Sequence, residues 1–278
     1  TFRSYGNYEN RGKARTRYMQ EALGGAENYK RAYLEKLDEV IASGEDLTLN
    51  ITPAPVTKTG DGSTASGPRI LPQKQAGLYT VVWHPIGGPP SMESLCALSD
   101  AMQTIPDAEI RLAPDETAYI VNLTGAEAEK VLTATPDSAQ SLFETSVSCI
   151  GGLTCQVGLR DSQGLLAACV KAVREAGLPD GALPQIHISG CPSSCGTHQT
   201  GTIGFRGASR PVGGKPQPGF QLFVGGCDRQ GSETMGRILG VVLEADVPAF
   251  LVALGREVAA SGMDYAAWSA ANPDAIDR

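Results

Sequence analysis

The pattern of apolar and polar positions in the first part of the chain is that of a helix. Tyr29, Tyr33, Leu37 and Ile41 recur every four residues, and this spacing places them on one helical face. The pattern predicts helix over residues 9–43. Arg and Lys are concentrated at its start, which is typical either of a solvated face or of a surface that binds carboxylates.

Apolar runs of strand and helix length alternate in the middle of the chain. Residues 51–76 are rich in Pro, Gly, Ser and Thr, and this composition predicts a linker loop between the helical segment 1–50 and the next domain. Over residues 77–137 the runs follow the order β-α-β-β-α, with Ser91 at the N-cap position of the first helix. The order predicts a small sheet covered by helices on one face.

The last part of the chain, residues 138–278, combines strand and helix patterns and predicts an α/β domain with a mixed sheet. A helix is expected over residues 162–176, followed by the strand "QIHIS". Two further strands are expected on either side of the Gly/Pro-rich residues 208–218, and a final helix over 235–260. The predicted fold class of the whole chain is α+β.

Composition narrows the class of protein. The chain has 278 residues and a formal net charge of −7, which argues against a nucleic-acid-binding protein. It contains no apolar run of the roughly 20 residues that a membrane span needs. No signal peptide opens the sequence, so the cytoplasm is the expected compartment. The first residue is Thr1, which indicates a trimmed or partial chain.

The seven cysteines are an odd number in a long chain without a secretion signal, which disfavours a disulfide framework. Cys96 and Cys169 fall on apolar helical stripes and are predicted to lie in the core. Four others form two pairs among Gly, Ser, Thr and Pro: Cys149 with Cys155, and Cys191 with Cys195.

Two close thiol pairs on two loops indicate a soft metal site. Small neighbouring residues allow close backbone approach, and backbone N–H groups can donate to the sulfurs. C-x3-C is within the range of structural zinc sites, but C-x5-C is loose for zinc. The spacing favours an iron–sulfur cluster and leaves zinc open.

The full cysteine pattern resembles that of the sirohaem-dependent sulfite and nitrite reductases. It consists of C-x5-C, about 35 residues, then G-C-P-x-x-C-G and the strand "IGFRG". The segment "NRGKARTRYMQEALG" resembles a basic helix of that family, and "GLYTVVWHPIGG…EIRL" resembles its ferredoxin-like half-domain. The resemblance covers nearly the whole chain, and it implies the C-terminal half of such an enzyme.

The resemblance implies two cofactors, sirohaem and a [4Fe–4S] cluster. The cluster ligands would be Cys149, Cys155, Cys191 and Cys195, with Cys195 also axial to the sirohaem iron. The candidates for contacts to the sirohaem carboxylates are Arg11, Lys13, Arg15, Ser193 and His198. Ser193 stands where many relatives have Asn. In the loop "APDETA", Asp115 and Glu116 stand where relatives often have Gln or Asn. Acidic groups at these positions are expected to face away from haem carboxylates.

The implied activity is the six-electron reduction of sulfite to sulfide or of nitrite to ammonia. The electron donor would be ferredoxin or a flavoprotein. In the family, the residues that bind the anion belong mainly to the other half, so no catalytic residue is assigned in this chain. A partner subunit, or the N-terminal half of a longer protein, is expected to complete the site.

Two other functions remain open from the sequence. Precorrin-3B synthase, a cobalamin-pathway enzyme, resembles the same family and keeps an iron–sulfur cluster while acting on a tetrapyrrole. A non-catalytic module with zinc or a cluster could serve as an electron relay. The sequence does not decide between sulfite and nitrite.

Overall fold

The structure, a computed structural model, describes residues 17–49 and 55–277. It divides into two units, Thr1–Pro55 and Val56–Arg278. Among the helices described, none is both long and apolar enough to cross a lipid bilayer. The linker boundaries predicted from the sequence stay predictions.

The described part of the first unit, residues 17–49 and 55, contains two helices where the sequence predicted one. Helix α1 spans Arg17–Ala22 and α2 spans Ala26–Ala42. They are separated by Gly24 and Gly25, whose φ angles of 80° and 123° are rarely adopted by residues with a side chain. The glycine pair therefore interrupts a periodic apolar pattern that otherwise continues. The predicted part of the helix over residues 9–16 lies outside the described residues.

The first sheet of the second unit has four antiparallel strands in the order β1-β2-β4-β3. Its elements are β1 (Ile70–Pro72), β2 (Tyr79–Trp83), α3 (Met92–Gln103), β3 (Glu109–Leu112), β4 (Ala118–Leu123) and α4 (Gly125–Ala134). The predicted β-α-β-β-α order is observed. Strand β1 lies inside the segment predicted as a loop, where only three residues pair with β2.

The core of this first sheet lies between β2, β4 and the two helices. Val81, Ile120, Leu98 and Val131 are all essentially inaccessible to solvent. The prediction that Cys96 belongs to this core is wrong, because its side chain is exposed. At 100° per residue, Cys96 is turned about 200° away from Leu98, the residue of α3 that does face the core.

The second sheet has five strands in the order β5-β6-β7-β8-β9. Its elements are β5 (Val147–Ser148), α5 (Ser162–Glu175), β6 (Ile186–Ser189), β7 (Ile203–Val212), β8 (Lys215–Val224), β9 (Arg237–Leu243), α6 (Val247–Ser261) and α7 (Tyr265–Ala271). Strands β5, β6 and β7 pair in parallel, and β7, β8 and β9 pair antiparallel. The α+β class with a mixed second sheet is confirmed.

Two predictions for the second sheet need correction. Residues 208–218 were expected to separate two strands, but they form the end of the β7–β8 hairpin, which turns at Gly213 and Gly214. The start of the predicted final helix is strand β9, which pairs with β8. Its apolar run "ILGVVL" fits either a helix or a strand when read alone, and the pairing with β8 decides between them.

Helices α5 and α6 pack on one face of the second sheet. Ile186, Ile188, Phe205 and Phe220 point into this core with Cys169, which is fully buried. The prediction for Cys169 is therefore confirmed, and burial raises the pKa of its thiol to about 12.

Candidate metal centre

The first cysteine pair lies on a loop that leaves the second sheet at the end of β5. The Cys149 N–H donates to the carbonyl of Ile188 on β6 over 3.1 Å, so the strand pairing extends to this cysteine. The loop then folds on itself. The Cys155 N–H donates to Gly151 O (2.8 Å), and the Gly158 N–H donates to Cys155 O (3.0 Å). Both cysteines therefore lie on a compact, internally bonded loop.

The start of α5 holds Cys149 from the other side. The Ser162 hydroxyl donates to the carbonyl of Cys149 over 2.7 Å and lies 3.2 Å from its Sγ. The amide of Gln163 donates to the same carbonyl over 3.2 Å. Asp161 caps the helix by accepting from the Gly164 N–H, as expected for an N-cap carboxylate. The position of Cys149 is thus fixed by both a strand and a helix terminus.

The second cysteine pair lies on a tight turn that follows β6. Cys191 is buried and Cys195 is exposed. Ser194 and Thr197 adopt left-handed conformations, with φ of 62° and 49°. Such angles are uncommon for residues other than glycine and turn the chain sharply. The turn therefore exposes one thiol while the other remains covered.

The two cysteine loops are in direct contact. The Gly190 N–H donates to Cys149 Sγ over 3.1 Å. The carbonyl of Gly190 accepts from the N–H groups of Leu159 (3.1 Å) and Arg160 (3.0 Å). A Cβ at Gly190 would lie 2.6 Å from the Arg160 carbonyl oxygen, so a side chain here would separate the loops.

All four of these cysteines are free thiols. Within residues 17–49 and 55–277, no three His, Cys, Asp or Glu side chains are grouped so that they could hold a metal ion. The structure therefore brings the two loops together but does not gather the four sulfurs. The predicted ligand set stays a prediction.

The second loop lies on the face of the sheet opposite to the core. His187, Gly204 and Phe223 form one row across β6, β7 and β8. A Cβ at Gly204 would lie 1.7 Å from the carbonyl oxygen of His198, so the loop occupies the space that a side chain would need. The His198 ring packs on Phe223 with 4.7 Å between the ring centroids.

Several polar atoms below this loop are buried without a hydrogen-bond partner among the described residues: His198 Nδ1, Gln199 Oε1 and Arg206 Nε. Burial, followed by the charges of Arg206 and His187, lowers the pKa of His198 to about 4. His198 is therefore neutral at pH 7.

An open apolar groove of about 1020 Å³ runs along the first sheet. Leu98, Met102 and Ile110 line it, and among the described residues that line it Glu116 is the one charged side chain. Oε2 of Glu116 is buried with no hydrogen-bond partner in the described part of the chain. Burial raises the pKa of Glu116 to about 7.

The residues predicted to bind sirohaem are placed differently from one another. Arg11, Lys13 and Arg15 lie outside the described residues. Ser193 is half-buried on the turn between Cys191 and Cys195, whereas His198 is only 2% exposed and lies under the loop. The positions of Ser193 and His198 neither support nor contradict a contact with a cofactor.

Sequence reasoning assigned no role to His187 and did not single out Thr197. A signal was present, since alternation along the buried strand "QIHIS" places His187 on the face opposite to Ile186 and Ile188. Which loop covers that face could be seen only in the folded chain.

Comparison with known proteins identifies relatives over most of the chain. It is 28% identical over 230 residues to the ferredoxin–nitrite reductase of Synechococcus elongatus, covering 81% of this chain and 42% of that protein. It is 30% identical over 249 residues to the chloroplastic ferredoxin–nitrite reductase of Arabidopsis thaliana, covering 84% and 39%. It is 26% identical over 239 residues to sulfite reductase [ferredoxin] 1 of Mycolicibacterium paratuberculosis, covering 81% and 40%. No family model matches the chain.

A solved structure agrees with these relatives. The NirA protein of Mycobacterium tuberculosis superposes with a TM-score of 0.65 at 25% identity, covering 90% of this chain and 46% of that one. The chain thus spans about two fifths of the length of the curated relatives named above. On the shared fold and these relatives, the chain belongs to the sirohaem-dependent sulfite and nitrite reductase family.

Proposed function

We propose that the two cysteine loops hold a [4Fe–4S] cluster. The proposed ligands are Cys149, Cys155, Cys191 and Cys195, and Cys195 would also hold a sirohaem iron. The observation that carries this proposal is the 3.1 Å hydrogen bond from the Gly190 N–H to Cys149 Sγ. This bond joins the sulfur of Cys149, in the first pair, to the residue immediately before Cys191, in the second pair.

The chemistry of the loops fits a cluster. Thiolates are the usual ligands of iron–sulfur clusters, and hydrogen bonds to the sulfurs tune their reduction potentials. The Gly190 N–H already donates to one sulfur. The glycines at the contact between the loops leave no space for side chains, so the backbone donors stay close to the thiols.

We propose that the complete protein or complex reduces nitrite or sulfite by six electrons. The relatives named ferredoxin–nitrite reductase support nitrite as substrate and ferredoxin as donor, and the one named sulfite reductase supports the alternative. When bound, the two cofactors supply electron storage and the iron at which the anion is reduced. The remainder of the relatives' length is proposed to complete the anion site, as the N-terminal half or as a partner subunit.

The chain's own contribution to sirohaem binding is proposed to be cationic and polar. Arg11, Lys13 and Arg15 would pair with cofactor carboxylates, because buried carboxylates need charged or strong donors. Ser193 would donate from the turn between two cluster ligands. The burial of His198 against Phe223 supports a role in holding the loop.

We place the protein in the cytoplasm, where free thiols persist.

Cysteine substitution combined with metal analysis tests the cluster. The chain is reconstituted with iron and sulfide under anaerobic conditions, and iron and acid-labile sulfide are measured per chain. We expect about four of each, as the [4Fe–4S] composition requires. Single Ser substitutions at the four proposed ligands should remove most of the iron. Cys96→Ser is the control, because Cys96 is also a free thiol, exposed like Cys195, but lies on α3.

A protein that retains zinc rather than iron, or that loses iron equally in Cys96→Ser, would contradict the cluster. The reductase activity is tested separately on protein purified with its missing half or partner. Visible bands of sirohaem that shift on addition of nitrite or sulfite are expected. A cluster spectrum without haem bands in that complete protein would instead favour the cobalamin-type relative or an electron relay.

A further inference from the structure

We propose that His187 is a positioning residue that fixes Cys195, acting through Thr197. The proposal rests on the proposed function, because it concerns the orientation of one proposed cluster ligand. It extends that function to His187, a buried side chain below the loop. His187 itself is not proposed to contact a cofactor.

The turn that carries Cys195 is held in an unfavourable backbone conformation. Ser194, immediately before the cysteine, has φ of 62°, and Thr197, two residues after it, has φ of 49°. A β-branched residue such as Thr is a true outlier in the left-handed region. Backbone strain of this kind persists only where surrounding contacts hold it. Some other group must therefore maintain the turn.

Two side chains on β6 supply these contacts. His187 Nδ1 lies 2.8 Å from the Thr197 hydroxyl oxygen. The Ser189 hydroxyl accepts from the Gly196 N–H over 3.1 Å. His187 and Ser189 are two residues apart on the strand, so both point to the face that carries the loop. Together they bond the two residues that directly follow Cys195.

The His187 ring cannot move away from Thr197 without displacing the backbone. It is 5% exposed, and a Cβ at Gly201 would lie 2.7 Å from its Cγ. Gly204, its neighbour on β7, is covered by the carbonyl of His198. The hydrogen bond to Thr197 therefore joins the turn to a rigid part of the sheet, and the direction of Cys195 follows from it.

The chain contains a matched control for this pair. His84, directly after β2 of the first sheet, is also buried, at 3% exposure, and its Nδ1 lies 2.9 Å from the Thr117 hydroxyl. Removing either histidine deletes a buried ring and one hydrogen bond to a threonine. Only the His187 bond reaches a cysteine loop, so a general loss of stability can be separated from a loss of positioning.

The test compares His187→Leu, His187→Asn and His84→Leu. Asn can place a polar atom near the position of Nδ1, so it should preserve the bond that Leu removes. The first readout is amide hydrogen exchange of residues 191–200 in the metal-free protein. His187→Leu should accelerate it about fivefold, the factor given by the loss of one net hydrogen bond. His187→Asn and His84→Leu should leave exchange in this segment at the wild-type rate.

The second readout is the electron paramagnetic resonance spectrum and midpoint potential of the reduced, reconstituted protein. His187→Leu should shift both, and His84→Leu should shift neither. Thr197→Val removes the same hydrogen bond from the other side, and it should reproduce the result if His187→Leu folds poorly. Exchange unchanged in both His187→Leu and Thr197→Val would overturn the proposal. If the wild-type protein binds no cluster but exchange in His187→Leu is accelerated as expected, the result would refute the proposed function and leave the role of His187 in the turn intact.

Discussion

The two sheets of Val56–Arg278 hold their connecting segments by different combinations of contacts. In the first sheet a side-chain cap adds to a close backbone contact: the Thr124 hydroxyl and the Glu127 carboxylate form a reciprocal capping box at the start of α4, where Gly125 lies against the backbone of Thr64. In the second sheet, loops lie directly on bare backbone at Gly190 and Gly204. A cap is a local device that tolerates change, whereas a contact between two backbones requires glycine and has no substitute. The second arrangement brings the cysteine loops close together.

The largest effect is expected from Gly204→Ala. The added methyl would lie 1.7 Å from the His198 carbonyl, so the loop must move off the sheet. We expect a loss of about 3 kcal/mol or more in the free energy of unfolding, at the upper end for overpacking, together with loss of cluster binding. Denaturant unfolding and iron analysis measure both. Gly213→Ala is the control, since nothing lies within 4 Å of its Cβ position, and its left-handed φ should cost only about 1 kcal/mol.

Ile120→Ala tests the comparison from the side of the first sheet. Ile120 is fully buried between β2, β3 and the helices, and truncation should cost about 3 kcal/mol through lost burial and a cavity. Hydrogen exchange should accelerate in residues 79–123 and stay unchanged in residues 191–200. Equal acceleration in both segments would mean that the two sheets unfold as one cooperative unit.

The two regions should respond to pH in opposite directions. Burial raises the pKa of Glu116 to about 7, from 4.5. The folded state therefore holds this proton more tightly, and the associated stability is lost as pH rises from about 4.5 to 7. Glu116→Gln should gain stability over wild type across this window, by about 2 kcal/mol after allowance for partial exposure. Denaturant unfolding at a series of pH values measures it, and Glu129→Gln, on the exposed side of α4, is the control.

For His198 the sign is reversed. Its pKa is lowered from 6.5 to about 4 by burial and by Arg206 and His187. Stability from the neutral ring is therefore complete above about pH 6.5 and is lost as pH falls toward 4. His198→Phe should narrow the difference between pH 7 and pH 4 by about 2 kcal/mol. An unchanged pH profile would show that the ring is not buried in this way.

The smallest effect is expected from Thr124→Ala, which removes one half of the capping box. We expect a loss of about 1 kcal/mol, measured by thermal or denaturant unfolding. Thr133→Ala on the same helix is the control, since its exposed hydroxyl bonds only to the carbonyl of Glu129. A loss above about 2 kcal/mol, beyond the usual range for a cap, would show that Thr124 also maintains the close backbone contact between Gly125 and Thr64.

The sequence by itself determined the local elements and the family. Caps such as Ser91, the alternation in "QIHIS" and the spacing of the cysteine pairs all depend on neighbours within a few residues. The helix that Ser91 caps, the strand "QIHIS" and the family were confirmed. The helix predicted over 235–260 was wrong in its first part because "ILGVVL" has no local feature that distinguishes strand from helix, and pairing with β8 decides it.

Only the tertiary structure decided how distant segments meet. It turned Cys96 to the solvent, placed Gly190 beside Cys149 and set His187 below Thr197. These outcomes depend on sheet register and on which loop covers which face, and neither leaves a periodic signal in the sequence. The sequence alone shows that the cysteines form two close pairs. How near the two cysteine loops come to one another depends on glycines at which two backbones are in contact.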